Sequence, residues 1–418
     1  MCAFLGYCLA PTPTHFLIGF QLLKIPAPDA RQPNLTALRN QKMARSPHAY
    51  VRGNTMQYYA WLHSLRGHSL PQGPAIWICG DCHLGNLGPL AAADGHVDVQ
   101  IRDFDQTIIG NPAHDLVRLA LSLAAVARGS RLPGIVTSNM LEQLMIGYEQ
   151  ALEAGEERVA MEKPHVVKVV MRSAVKRSWK ELAKERIVNT KPNIPLGKNF
   201  WPLSKAEKKG ISQMFAAEEM VKLITTLKSR DDDAKIEVLD AAYWVKGCSS
   251  LGRLRYAVLV SVGETDFCLM DIKEAVIAAA PRYPHVSMPR DNARRVVEGA
   301  RHMSPALGER MIAQRFLERG VFIRELLPQD LKLEIDQLSA EQATHMGRYL
   351  AYAVGCAHAR QMDDATRKNW LRELKLNRSK TFSTPDWLWT GVVQLIASHE
   401  AGYLEHCRKY ALETEGKG

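Results

Sequence analysis

The pattern of apolar and polar positions predicts a chain that is helical in its first and last parts, with a small sheet between them. Between residues 112 and 129, leucine and valine recur at helical spacing, and a glycine ends the run. Residues 97–105 alternate apolar and polar side chains, which is typical of a strand that runs into Asp103. From residue 236 to 275, three runs rich in β-branched and aromatic residues are separated by glycines and predict three strands. These patterns indicate the α+β class.

Further segments with the same periodicities complete the expected order of elements. A buried strand is predicted over 75–79, and a strand pair ends in residues 321–326. A loop broken by three prolines is expected between residues 189 and 204. Helices are predicted at about 54–66, 138–154, 163–187, 205–227, 291–303, 337–360 and 386–411.

Composition and charge narrow the class of protein. The chain has 418 residues, of which 46% are hydrophobic and 23% charged, as expected for a folded chain without long disorder. The net charge of +10 is concentrated between Lys163 and Lys209, which indicates either a solvated basic helix and loop or a surface for an anionic partner. Nucleic acid is not favoured, because no aromatic side chains alternate with the basic ones. No segment is long and apolar enough to predict a membrane span.

The cysteines and the start of the chain bear on the compartment. Eight cysteines are scattered along a long chain, which favours reduced thiols and a cytoplasmic location. Residues 1–23 carry no Lys, Arg, Asp or Glu, but Pro11 and Pro13 interrupt the apolar run and a basic start is missing. A poorly ordered extension is therefore favoured over a signal peptide.

Residues 77–88, WICGDCHLGNLG, admit two different chemistries. Cys79, Cys82 and His83 spell the C-x-x-C-H signature of covalent haem attachment, which needs export and a distal ligand. A zinc site there would lack a second ligand pair. A c-type haem or metal-binding protein therefore remains a remote alternative.

The same stretch resembles the catalytic loop of a kinase branch. Asp81, His83 and Asn86 have the G-D-x-H-x-x-N arrangement of the aminoglycoside and choline kinases. The resemblance implies that Asp81 is the catalytic base or orienting group, that Asn86 is a magnesium ligand, and that His83 gives structural support.

A second segment, IRDFDQTIIGNPAHD, resembles the metal-binding segment of the same branch. The resemblance assigns Asp103 to catalysis and to Mg²⁺, and Asp105 as a further ligand. It makes Asp115 a structural anchor beneath the catalytic loop.

The nucleotide-binding half of such an enzyme is expected downstream. A glycine-containing turn lies between two predicted strands and resembles a phosphate-binding loop, and Lys273 follows on the next strand in the sequence Asp-Ile-Lys-Glu. The resemblance makes Glu298, on the following helix, the ion-pair partner of Lys273. It places Glu325 on the strand that leads to the adenine. The turn contributes Gly247, Ser249, Ser250 and Gly252.

The order of these motifs implies a protein-kinase-like, two-lobed fold that is circularly permuted. The expected parts are an N-terminal extension (1–42), a helical large-lobe part with the catalytic and metal loops (43–235), a small β-rich nucleotide-binding lobe (236–330) and a helical return to the large lobe (331–418). Permutation is physically tolerable because chain ends lie at the surface.

The chain from about Met43 to Arg360 also resembles a bacterial family known as domain of unknown function 2252. The matching segments include SPHAYVRG, GDCHLGNLG, DFDQT, GCSSLGRLRY and LMDIKEA. Within SPHAYVRG, Arg52 is expected either to reach a phosphate or to pair with a carboxylate of the large lobe.

The function expected from these motifs is ATP- and Mg²⁺-dependent phosphoryl transfer to a small hydroxylated molecule, which could be anionic. One alternative is an inactive nucleotide-binding module that docks a partner through residues 163–209. Another is transfer of the nucleotidyl rather than the phosphoryl group.

Overall fold

The computed structural model describes residues 25–65, 70–155, 161–176, 193–227, 229–248, 250–263, 266–331, 333, 338–376 and 384–410. Within these ranges the chain is mixed α+β, as its sequence predicts. Its thirteen described α-helices are α1 Arg31–Ala44, α2 Pro47–Gly53, α3 Thr55–Ser64, α4 Ala113–Gly129, α5 Gly134–Ala154, α6 His165–Lys176, α7 Lys205–Phe215, α8 Glu218–Thr225, α9 Asn292–Met303, α10 Pro305–Gly308, α11 Ala340–Ala359, α12 Asp364–Leu376 and α13 Asp386–Tyr410.

Two short antiparallel strand pairs lie early in the chain, one nested inside the other. The outer pair is β1 (Ile76–Ile78) with β4 (Ile108–Gly110), and the inner pair is β2 (Leu87–Ala91) with β3 (Val97–Ile101). The predicted strand over 97–105 ends at residue 101, where the chain enters a loop.

A six-stranded antiparallel sheet forms the second structural unit. Its strands are β5 (Phe200–Trp201), β6 (Ile236–Trp244), β7 (Arg255–Val262), β8 (Asp266–Glu274), β9 (Met311–Phe316) and β10 (Arg319–Leu326). They lie in the order β5-β6-β7-β8-β10-β9. The three strands predicted between 236 and 275 and the pair that ends at 326 are confirmed. Only β5 joins this sheet from outside residues 236–330.

The two faces of the sheet differ, because successive side chains of a strand point to opposite sides. On β8, Cys268, Met270 and Ile272 are buried against a cluster that includes side chains of α7 and α8. The alternate residues, among them Asp271 and Lys273, face the other way. This second face carries the polar side chains of the candidate site.

The helical unit is built around α4, α5 and α11. Nearly every residue of α4 is buried, and α5 packs along α11 through close contacts at glycines. A Cβ added to Gly147 would lie 2.0 Å from the carbonyl oxygen of Arg348, and one on Gly355 would lie 2.6 Å from Cβ of Ala151. Small residues thus let the two backbones approach closely. None of the described helices is long and apolar enough to cross a bilayer.

Several elements differ from the sequence-based expectation. Residues 31–42, expected in a poorly ordered extension, form most of α1, where Leu35 is buried in the core beside the sheet. The single helix expected over 205–227 is divided, because the backbone of Ala217 is extended and this residue caps the start of α8. The division lets Phe215 of α7 and Ile224 of α8 reach the same apolar cluster. Strands β2 and β4 and helix α12 were not predicted.

We expect Gly147→Ala to destabilise the protein by about 1–3 kcal/mol, because the added methyl group overlaps a backbone carbonyl of α11 that cannot move alone. The matched control is Gly134→Ala in the same helix, where an added Cβ meets nothing within 4 Å. The midpoint of thermal unfolding should fall for the first variant and stay level or rise for the second. Equal midpoints would contradict the close packing of α5 on α11.

Candidate active site

Two loops face each other because the nested strand pairs hold both ends of each. We call residues 79–86 the Asp81 loop and residues 102–107 the Asp103 loop. At one end, Ile78 pairs with Ile108; at the other, Leu87 pairs with Ile101. The backbone N–H of Arg102 donates to the carbonyl oxygen of Asn86 at 2.8 Å and joins the two loops directly.

A polar stripe on the buried helix α4 holds the Asp81 loop. Asp115, Arg118 and Ser122 lie at spacings of three and four residues and so share one face of the helix. Asp115 accepts hydrogen bonds from the backbone N–H groups of Cys79 (2.7 Å) and Gly80 (2.9 Å). Arg118 Nε donates to Asp81 Oδ1 at 2.7 Å, and Ser122 Oγ accepts from the backbone N–H of Leu84 at 3.0 Å. The helix therefore holds the loop at its start, middle and end, and Asp115 lies where an anchor is expected.

The sharp turn at Gly80 requires a glycine. Its φ is +73°, and a Cβ there would lie 2.1 Å from the carbonyl oxygen of Gln106 in the Asp103 loop. Tyr59 of α3 donates a hydrogen bond to the carbonyl oxygen of Gly80 at 2.7 Å. The close approach brings Asp81 towards the opposite loop.

The carboxylate of Asp81 is held on both oxygens. Oδ1 accepts from Arg118, whose side chain is fully buried, and Oδ2 accepts from the hydroxyl of Thr55 at 2.9 Å. His83 Nε2 lies 4.0 Å from Oδ2. Asn86 Nδ2 donates to the backbone carbonyl of Asp81 at 2.9 Å, which leaves the amide oxygen of Asn86 as the free acceptor of that side chain.

Lys273 joins the sheet to the Asp103 loop. Its Nζ lies 3.3 Å from both carboxylate oxygens of Asp103 and 2.7 Å from Oδ2 of Asp105. The lysine side chain is 4% exposed, whereas that of Asp103 is 39% exposed and faces the cleft. One buried cation thus serves two neighbouring carboxylates, of which Asp103 lies 170 residues away in the chain.

The pKa values of the two carboxyl groups that share Lys273 shift in opposite directions. Desolvation opposes ionisation of Asp103, but the positive charges of Lys273 and Arg324 outweigh it and hold the pKa of Asp103 well below its usual range. Desolvation and then the negative charge of Asp103 raise the pKa of Asp105 to about 6. Oδ1 of Asp105 is buried and has no hydrogen-bond partner in the described part of the chain.

A second buried ion-pair network fixes strand β8 beside Lys273. Asp271, two residues away on the same face, accepts from Arg255 at 2.9 and 2.6 Å and lies 3.5 Å from Arg324. Arg324 also donates to the carbonyl oxygen of Arg102 in the Asp103 loop at 2.8 Å. The network thus holds three strands and the loop in one arrangement.

The turn between β6 and β7 forms one wall of the same cleft. Gly247 and Ser250 line it, whereas an added Cβ at Gly252 would meet Gln32 of α1, at 3.0 Å. Both glycines have positive φ, +95° and +98°. Ser249 lies outside the described residues. The predicted residues found in the cleft are Asp81, His83, Asn86, Asp103, Asp105, Gly247, Ser250 and Lys273.

Besides Gly252, two predicted acidic site residues do not line the cleft. Glu298 pairs with Arg301 at 2.9 Å on the exposed side of α9. The same helix instead places Arg295 against the Asp103 loop, where it donates to the carbonyl oxygens of Asp105 and Thr107. Assigning Glu298 as the partner of Lys273 is therefore wrong.

Glu325 also lies outside the cleft, for a different reason. It lies on the face of β10 that is turned away from the cleft, where Arg230 binds its carboxylate at 2.7 and 2.9 Å. Its neighbours Arg324 and Leu326 line the cleft instead, as the twofold alternation of a strand requires. The side chain of Glu325 is therefore structural.

The family model described as "Uncharacterized protein conserved in bacteria (DUF2252)" matches residues 31–409. The chain belongs to this family. Neither the curated proteins nor the solved structures include a match to the chain. The motifs that carry the family resemblance contribute both loops, the turn and Lys273 to one cleft.

Two of the eight cysteines of this DUF2252 member, Cys79 and Cys82, belong to the Asp81 loop and are fully buried. Sulfur atoms of Cys79 and Cys82 and a carboxylate oxygen of Asp115 lie within 4.8 Å of one another, all buried. A hydrogen bond with Cys82, and then burial, raises the pKa of Cys79. The same bond lowers the pKa of Cys82, but burial and the charge of Asp115 still raise it. Both thiols are closed to solvent and pack within the apolar core of the helical unit.

Residue patterns alone did not identify the side chains that hold Asp81. Thr55, Arg118 and Ser122 make three of the hydrogen bonds that fix the loop. The sequence does show Arg118 and Ser122 within a helix that is mostly apolar, and buried polar groups are normally paired. The helix pattern does not show which atoms of the chain they bind.

We expect Arg118→Leu to destabilise the protein by about 3–5 kcal/mol, because it leaves the Asp81 carboxylate buried without its counter-ion. The carbonyl oxygen of Val51 loses its donor as well. The matched control is Arg128→Leu, which lies on the same helix as Arg118. It removes an exposed ion pair with Glu400 of α13 and should cost at most about 1 kcal/mol. Thermal unfolding of both variants tests this, and a comparable small loss for Arg118→Leu would contradict the anchoring role.

Proposed function

We propose that the cleft transfers the γ-phosphoryl group of ATP to the hydroxyl group of a small molecule. The observation that carries the proposal is the meeting of Lys273 with Asp103 and Asp105 in the cleft that also contains Asp81 and Asn86. Phosphoryl transfer needs this set: a lysine for the phosphates, oxygen ligands for Mg²⁺, and a carboxylate for the attacking hydroxyl. Six basic and four acidic side chains line the described cleft, which suits a polyanionic ligand.

The order of elements around Lys273 supports a kinase-like small lobe. Counted from β6, the lysine is on the third strand, after a glycine-containing turn between the first and second strands. A helix, α9, then precedes the last two strands. Protein kinases also place a glycine-rich loop before a lysine on the third strand. Here this lobe follows the Asp81 loop in the chain, so we propose a circularly permuted kinase-like fold.

The oxygen atoms in the cleft suit Mg²⁺. Asn86 has its amide oxygen available, Asp103 is partly exposed to the cleft, and Asp105 has a buried oxygen without a partner among the described residues. Carboxylate and amide oxygens are the ligands that this hard cation prefers. Asn86, Asp103 and Asp105 would hold the ion, which would neutralise charge on the phosphates.

Asp81 has the environment of an orienting carboxylate. Arg118 and Thr55 fix its plane, and each of its oxygens keeps a lone pair for a further donor. In the proposed step, the acceptor oxygen bonds to the γ-phosphorus and the bond from that phosphorus to the bridging oxygen of ADP breaks. The hydroxyl proton passes to Asp81 and from there to water.

An inactive nucleotide-binding module is the second candidate. It is favoured by the ion pairs of the carboxylates, since Asp81 is paired with Arg118 while Asp103 and Asp105 are paired with Lys273. Much of the basic segment 163–209 through which such a module would dock lies outside the described residues.

The nucleotidyl-transfer alternative is separated from phosphoryl transfer by the mass of the products.

The test compares Mg²⁺-dependent hydrolysis of ATP, with water as the acceptor, and binding of a non-hydrolysable ATP analogue. We expect Asp81→Asn to lower turnover by about 10²-fold or more while the analogue still binds. Lys273→Ala should weaken binding of the analogue itself. The matched control is Glu298→Gln, which should change neither, because Glu298 lies outside the cleft, is partly exposed and pairs with Arg301.

Unfolding must be separated from loss of function, because Asp81→Asn removes a buried charge pair. Analogue-induced thermal stabilisation of the variant shows that it is folded. Full turnover by folded Asp81→Asn would contradict the assignment of Asp81. Analogue binding without any wild-type turnover would favour the inactive module.

A further inference from the structure

Arg52 lies at the end of α2 and lines the cleft beside the Asp81 loop. It belongs neither to the sheet that carries Lys273 nor to α4. Burial, and then the positive charge of Arg52, lower the pKa of His83 in that loop. Arg52 thus adds a cation to the cleft from the helical unit.

The acidic side chains of the cleft are already paired with other cations. Asp81 binds Arg118, Asp103 and Asp105 bind Lys273, and Asp330 binds Arg310. Among the described residues, by contrast, Arg52 has no hydrogen bond or ion pair, although it lines the cleft. The second of the two roles expected from its sequence, pairing with a carboxylate of the large lobe, is therefore not observed in the described part of the chain.

The guanidinium group of Arg52 lies flat on Gly85. A Cβ added to Gly85 would be almost equidistant from three of its atoms, at 3.1 Å from Cζ, 3.1 Å from Nη2 and 3.2 Å from Nε. Near-equal distances place that point over the guanidinium plane. The N–H donors of a guanidinium lie in its plane, so stacking on Gly85 leaves them directed sideways, in the fork that binds carboxylate or phosphate.

Arg52 stacks on the Asp81 loop, and its charge also reaches Cys248 of the glycine-containing turn. Lys273 and the glycine-containing turn belong to the sheet, where the proposed function places the phosphates of ATP. Gly85 lies between Asp81 and Asn86, so Arg52 is stacked on the loop that orients the acceptor. A cation on this loop, without a partner among the described residues, lies beside the group that the proposed function assigns to the acceptor.

We propose that Arg52 binds an acidic group of the acceptor, so that the substrate is a small hydroxylated molecule carrying a phosphate or a carboxylate. The inference rests on the proposed phosphotransferase function and names the chemical class of its substrate. Gly85 is the positioning residue that keeps the guanidinium flat.

The experiment titrates the full chain with inorganic phosphate or, in a separate arm, with acetate, after saturation with Mg²⁺ and the non-hydrolysable ATP analogue. The stronger-binding probe identifies which acidic group is preferred. We expect Arg52→Gln to weaken binding of that probe at least tenfold, and Arg52→Lys to weaken it less. Arg45→Gln, an exposed arginine between α1 and α2, is the control and should bind as the wild type does.

A second variant tests the stacking itself. Gly85→Ala keeps Arg52 but places a methyl group against its guanidinium, so probe binding should weaken although the charge is unchanged. Because Arg52 has no described partner to lose, Arg52→Gln should keep the wild-type melting temperature.

Three results would overturn the inference: undiminished probe binding by Arg52→Gln, loss of the probe when the analogue is added, or a larger loss of analogue than of probe in that variant. The last two would assign Arg52 to the nucleotide. If the proposed phosphotransferase function is wrong, the ATP analogue does not bind at all, which distinguishes that outcome from these three. Arg52-dependent binding of phosphate without nucleotide would still support the anion site.

Discussion

The rest of the site depends on the hydrogen bonds between α4 and the Asp81 loop. The helix is buried almost throughout, so its polar side chains must be paired within the protein. Asp115, Arg118 and Ser122 find their partners in the loop, and His358 of α11 lies 3.2 Å from the carboxylate of Asp115. These pairings fix the path of the loop, and with it the position and plane of the Asp81 carboxylate.

The second constraint is electrostatic and joins the two structural units. Lys273 is buried at the end of a strand whose sheet has its own apolar core, and its partners belong to a loop of the helical unit. Asp271, Arg255 and Arg324 hold the same strand and loop from the side. A ligand that binds between the units would therefore meet charges whose positions are already set, which reduces the cost of ordering them.

Most elements were predictable because their periodicity reflects burial on one face. The strands of the sheet and helices such as α9 and α11 were found in this way. Strand β4 has only three residues, and β2 shows no alternation because it is buried at all five positions. The Asp81 and Asp103 loops were recognisable from their motifs, but their meeting depends on the pairing of Ile78 with Ile108, which no local pattern encodes. Glu298 and Glu325 were misplaced because the resemblance assigns a residue type to an element and not to one of its faces.

The most direct measurement is a crystal structure of the full chain with Mn²⁺, in place of Mg²⁺, and a non-hydrolysable ATP analogue. The account predicts an anomalous peak among Asn86, Asp103 and Asp105, with the triphosphate beside Lys273 and its γ-phosphate facing Asp81. Nucleotide bound elsewhere, or a metal peak away from these three side chains, would contradict it.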